Sequence, residues 1–322
     1  MHAAAINLRG GVSPRSTRLR GQSIIEYVLI IAVIGLVIVF AGPGVAGAIR
    51  NQFNLVGNTV NNGTTAGAEG GGASGGGSTG ADSATVRAAV AKDPKDWKLD
   101  EQKAVAEDIA AKGEASPAYA KAKAAMNAGT TWTINFNDKH SSTYRIVGIN
   151  HDDLADGTGK AGLTFEMRAM YGSCCVTLDH FGANSWEKSE MRQRLNSGDL
   201  WARMPSEFQD AIKHVKKYTD NNGEEVSGKE TATVDKLFLV SATEVYGDLK
   251  SDGVQYEYYR EKGVTSQNYS NARIGLSYYY TRSIAPATSN HTDRFYVVDS
   301  SGECYSLDAA ANAAPVHPLF CF

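Results

Sequence analysis

The chain has 322 residues, of which 42% are hydrophobic, 21% charged and 33 glycine, with a formal net charge of −3. That length allows more than one folded unit and the composition excludes collagen and full-length disorder. The balance of 32 basic against 35 acidic residues gives no global positive field, so no nucleic-acid partner is expected.

Residues 1–20 hold Arg9, Arg15, Arg18 and Arg20 and no acidic residue, and they run into Ile24 to Ala41, where Glu26 and Tyr27 are the ionisable side chains. A basic segment ahead of about 20 apolar residues predicts a membrane-spanning helix with its N-terminus inside. A carboxylate in the first turn of such a helix is costly unless it has a specific partner. The stretch Gly21-Gln22-Ser23-Ile24-Ile25-Glu26-Tyr27 resembles the prepilin-peptidase site of type IV pilins, and its Glu-Tyr pair resembles the Flp branch used by Tad secretion systems. The resemblance, over about residues 18–60, implies cleavage between Gly21 and Gln22 by a prepilin peptidase. It also implies assembly with other pilin subunits and Tad-type machinery through Glu26, which pairs with a neighbour's freed amine, and Tyr27. Ile49, Phe53, Val56 and Val60 continue at helical spacing. The organisation expected is a leader over 1–21 and a hydrophobic pilin-like helix over 22–60, embedded in the membrane through residues 24–41 before assembly.

Residues 61–80 hold nine glycines in twenty and no large apolar side chain. They predict a flexible tether over 61–82. Residues 83–129, rich in Ala, Lys, Asp and Glu and interrupted at Pro94 and Gly113 to Pro117, predict short helices forming a stalk or a layer packed on the C-terminal domain.

From Thr130 the pattern turns to strands alternating with helices. Trp132 to Phe136 and Tyr144 to Ile149 predict a hairpin. Ser206 and Gln209 have capping-box spacing ahead of a predicted amphipathic helix through Phe208, Ala211, Ile212 and Val215. Leu237–Val240, Phe295–Val298 and Leu319–Phe322 predict strands. Residues 185–196, Lys236 to Ser241, Tyr280 to Ser283 and Pro315 to Phe320 resemble an uncharacterised domain family of gut-bacterial surface proteins related to the C-type-lectin-like and formylglycine-generating-enzyme folds. The resemblance, over about 132–322, implies a lectin-like α+β domain across 130–322. The expected fold class is therefore α+β: a long hydrophobic helix, a Gly-rich linker, a short helical segment and a lectin-like domain.

No zinc, P-loop, nucleophile-elbow or Cys-x-x-Cys spacing occurs in the chain, so no enzyme activity, cofactor or metal is expected. Asn150, Asp152, Asp153 and Asp156 form an oxygen-rich loop whose spacing fails the EF-hand template. Of Cys174, Cys175, Cys304 and Cys321, the pair Cys304 and Cys321 is the candidate disulfide in an exported domain. Nine of the fifteen tyrosines fall between Tyr246 and Tyr296, and Tyr256, Tyr258, Tyr259, Tyr278, Tyr279, Tyr280 and Arg282 form the candidate recognition set for a host or bacterial glycan or protein. The function expected is an exported pilin-like subunit displaying an adhesion or ligand-binding domain at the cell surface or in a pilus. A membrane-anchored extracellular enzyme and a secretion-system pseudopilin are the alternatives.

Overall fold

The computed structural model describes residues 83–170, 185–220, 230–249, 252–272, 274, 277–285, 294–308 and 314–322. Gly21, Gln22, Glu26 and Tyr27, the expected helix over 22–60, the linker, Cys174 and Cys175 lie outside the described residues. Among the described residues no helix is long and apolar enough to cross a membrane. The longest, Leu99–Lys112, carries Asp100, Glu101, Lys103, Glu107 and Asp108 within its length, which corrects the expected fold: the described residues form a mixed α/β body without a membrane-length helix.

Residues 83–129 form a packed layer and not a free stalk. Helices α1 (Ala84–Ala91), α2 (Leu99–Lys112) and α3 (Tyr119–Ala128) bury Val86, Ala89, Val105, Ile109, Ala122 and Met126 in the common core. Ser83 caps α1 by accepting from the Val86 amide, and Gly129, in the left-handed conformation, ends α3. The Trp97 and Trp132 rings stack at 6.2 Å, and the Trp132 indole donates to the Pro94 carbonyl at 2.9 Å.

The layer rests on an antiparallel sheet in the order β1 (Thr131–Asn135), β2 (Ser141–Ile149), β3 (Leu163–Met167), β9 (Leu319–Cys321). β1 and β2 form the expected hairpin, with Trp132 opposite Tyr144. Paired residues share a face. One face joins Trp132, Tyr144, Phe165 and Phe320, and Phe208 packs edge-on against Tyr144 at 5.7 Å. The other face carries Arg145 opposite Glu166, and Thr164 opposite Cys321.

Between β3 and β9 lie α4 (Glu190–Asn196), α5 (Asp199–Ala202), α6 (Ser206–Gln209), the hairpin β4 (Val215–Asp220) and β5 (Glu230–Asp235), α7 (Ala242–Tyr246), α8 (Glu257–Glu261) and the sheet β6 (Tyr279–Ile284), β7 (Arg294–Val298), β8 (Cys304–Asp308). Two expectations fail here. The helix expected through Val215 stops at Gln209, because the Lys213 amide donates to the Cys321 carbonyl and the chain leaves to enter β4. Leu237–Val240 is buried but not a strand; only Phe238 bridges, to Leu319.

Gly162 sets the seat of α2. A Cβ built there falls 1.8 Å from the Ala106 carbonyl oxygen, so Gly162→Ala is expected to lower stability by about 1–3 kcal/mol through overpacking. Urea unfolding checks this; an unchanged midpoint would contradict the close approach of helix and strand.

Candidate functional site

Where β4, α7, β6 and the loop after β2 converge, charged side chains sit inside the protein. β4 alternates, burying Val215, Lys217 and Thr219 and leaving Lys216 half-buried and Tyr218 exposed. The Lys217 ammonium contacts Asp152 Oδ1 and Glu244 Oε1, each at 2.5 Å, and donates to the Tyr256 hydroxyl at 3.2 Å. Glu244 is the third residue of α7. Its carboxylate accepts from the Ser241 amide at 2.9 Å while Ser241 Oγ accepts from the Glu244 amide, a capping box closed inside the core. Arg282 of β6 grips the same carboxylate in bidentate fashion at 2.5 and 2.8 Å, and also donates to the Leu239 carbonyl and Thr219 Oγ1. Asp152 further accepts from Thr164 Oγ1 at 2.6 Å and from the Tyr256 hydroxyl. Asp252, beneath Arg282, accepts from Ser283 and Thr243.

All these charged groups are at most 4% exposed. Burial alone would push the Asp152 and Glu244 carboxyls up; Lys217 beside the first and Arg282 with Lys217 beside the second hold both below their ordinary values. Asp252 faces only hydroxyls at its oxygens, and burial pushes its carboxyl up.

The network floors a cleft of about 290 Å³. The walls above it are chain neighbours of the network. His151 packs against Tyr256 at 4.1 Å with the rings tilted by 36° and its Nδ1 lies 3.3 Å from Glu257, and Asp153 pairs with Lys160 at 2.9 Å. Tyr218 and Val254, 47% and 67% exposed, complete the rim. Four carboxylates (Asp152, Asp153, Glu244, Glu257) face four cations (Lys160, Lys216, Lys217, Arg282) around the cleft.

The tyrosines expected to form a recognition face lie elsewhere. Tyr256, Tyr258, Tyr259, Tyr279 and Tyr280 are at most 8% exposed and Arg282 is fully buried; Tyr278 is half-buried. This corrects the candidate set at Tyr256, Tyr258, Tyr259, Tyr279, Tyr280 and Arg282, because side chains closed off from solvent offer no face to a partner. Tyr256 and Arg282 belong to the floor. Tyr259 donates to Glu166 at 2.6 Å and Tyr258 accepts from Arg145 at 2.9 Å, while Tyr279 donates to the Ala272 carbonyl. Cys304 and Cys321 are both free thiols, which corrects the disulfide: Cys304 is in the β6–β8 sheet, whereas Cys321 packs against Thr164 and Asp152. The oxygen-rich loop is divided among partners, with Asp152 on Lys217, Asp153 on Lys160 and Asp156 on Thr158. The residues missed by sequence reasoning are Lys217, Glu244 and Tyr218. Ser241-Ala-Thr-Glu244 has capping-box spacing, and period-two alternation from Val215 puts Lys217 inside and Tyr218 outside, so both signals were present.

Residues 175–322 match a family described as a domain of unknown function (DUF6273). No curated protein matches the chain, and no solved structure does. The matched stretch holds Lys217, Glu244 and Arg282, whereas Asp152 and Thr164 come from before it, so the network needs more chain than the match covers.

Stability should fall on acidification. Asp152 and Glu244 are depressed, so their contribution is complete above the unfolded carboxylate range near pH 4 and is lost below it. His317 is pushed down to about 3 by burial and then by Arg145 and Arg168, from an ordinary 6.5. The unfolded chain therefore takes up a proton that the folded chain refuses as pH falls from about 6.5 to 3, which also removes stability; Asp252, raised, acts in the opposite sense. Replacing His317→Phe is expected to flatten the loss of stability between pH 6.5 and 4, measured by chemical denaturation. An unchanged slope would contradict a buried neutral imidazole.

Proposed function

We propose that this chain is an exported surface subunit that presents its folded unit for adhesion, and that the cleft above the buried network takes a neutral glycan. The observation that carries the reading is Tyr218 and Val254 standing exposed on the rim of a cleft whose charges balance. With Asp152, Asp153 and Glu244 each paired to a lysine or arginine, and Glu257 3.7 Å from Arg260, an ionic ligand gains little there. A polyhydroxylated ligand gains hydrogen bonds from the His151, Glu257 and Lys216 edges and a flat ring against which its apolar face can lie. Side chains locked in ion pairs support binding more than turnover.

Export and display rest on the sequence pattern alone. The basic leader, Gly21-Gln22 and Glu26-Tyr27 support processing by a prepilin peptidase and co-assembly with pilin subunits through Tad-type machinery. In this reading the N-terminus starts inside the cell membrane and the body of the chain ends outside, on the cell surface or in a pilus.

Tyr218→Ala is expected to weaken binding of a neutral glycan selected from an array by about thirty-fold, near 2 kcal/mol, with Tm unchanged because the ring is exposed. Equal affinity, or silence of the array toward the unsubstituted chain, would overturn the glycan reading. The chain recovered from sheared surface material is expected by mass spectrometry to begin at Gln22; a chain keeping Met1 and found only in membranes would overturn display.

A further inference from the structure

The polar face of the four-stranded sheet holds a second cavity, of about 300 Å³, at the end away from the network. Thr131, Thr143, Arg145, Glu166 and Arg168 line it. Its charges do not balance. Glu166, the one carboxylate, is already taken: Arg145 donates to its Oε2 from Nε and Nη2 at 3.1 and 2.8 Å, and Tyr259 donates to its Oε1. The exposed Arg168 has no carboxylate partner among the described residues. Continuing the β3–β9 register from Glu166 opposite Leu319 places His317 across from Arg168 on the same face. His317 is 4% exposed, packs against Tyr279 at 4.8 Å with the rings tilted by 34°, and its Nδ1 finds no hydrogen-bond partner. Arg145 and Arg168 both act on the His317 ring electrostatically, so the ring lies close enough to the cavity to report a charge bound there.

We propose that this end of the sheet is an oxyanion site, in which Arg168 takes the anion's charge, Thr131 and Thr143 donate hydroxyls, and the Arg145–Glu166 pair forms the back wall. The ligand chemistry is a single carboxylate or phosphate group. A planar guanidinium flanked by hydroxyl donors is the fork such oxygens bind. The site is independent of the glycan cleft, since the two cavities share no lining residue.

The test is calorimetric titration of the full-length chain with glucuronate and, separately, inorganic phosphate at low salt. Saturable binding of either supports the site and shows which source of the oxyanion it prefers. Arg168→Ala is expected to weaken that binding at least ten-fold and Thr143→Val several-fold, and the His317 ring resonance, assigned by its loss in His317→Phe, is expected to move on saturation. Binding of neither anion, or binding that Arg168→Ala leaves unchanged, would overturn the proposal.

Discussion

A chain of alternating charges, Asp152, Lys217, Glu244 and Arg282, runs through the interior and ties four separate pieces of backbone together. Removing Lys217 would leave Asp152, and removing Glu244 would leave Arg282, without its ion-pair partner in a dry environment, at a cost of about 3–5 kcal/mol. The two central members, Lys217 and Glu244, therefore hold the arrangement together, and it fixes register. Three residues around the cleft are the immediate sequence neighbours of buried ones: His151 of Asp152, Tyr218 of Lys217, Glu257 of Tyr256. The buried ions thus position side chains that they do not touch.

The central sheet divides its labour by face. Aromatic rings fill one side, with Phe165 and Phe320 stacked at 5.2 Å and Phe322 against both, so this side stabilises through apolar burial. The other side buries Thr164, Glu166 and Cys321 and half-buries Arg145, where hydrogen bonds must be complete to avoid desolvation losses. The cavity lined by Arg145, Glu166 and Arg168 opens on this polar side. A sheet buried on two unlike faces can be stable through one and specific through the other.

Local signals in the sequence were legible where short-range physics decides. The β1–β2 hairpin follows from two alternating apolar runs around a polar turn, and β7 from Phe295 to Val298. The helix expected from Phe208 through Val215 failed because the same apolar spacing serves equally for buried turns when the chain is drawn off by distant partners, here Cys321 and Asp153. The tyrosine-rich stretch misled for a related reason. A tyrosine that covers a core and one that meets a ligand look alike in composition, and only the tertiary partners of Tyr256 and Tyr259, which are buried carboxylates, separate them. The site itself was the least legible part: an interior lysine carries no local mark except its place in the strand's alternation.

Cys321 lies in the last strand, with its thiol against Thr164 and within 3.6 Å of Asp152. Burial, with the Asp152 carboxylate beside it, pushes that thiol well above its ordinary value, so the reactive thiolate is suppressed while the strand is in place. Disulfide-forming and alkylating reagents then reach this sulfur only in molecules whose final strand has come away from β3. Its rate of modification becomes an internal clock for how often the sheet opens at that edge, without any label having to be introduced.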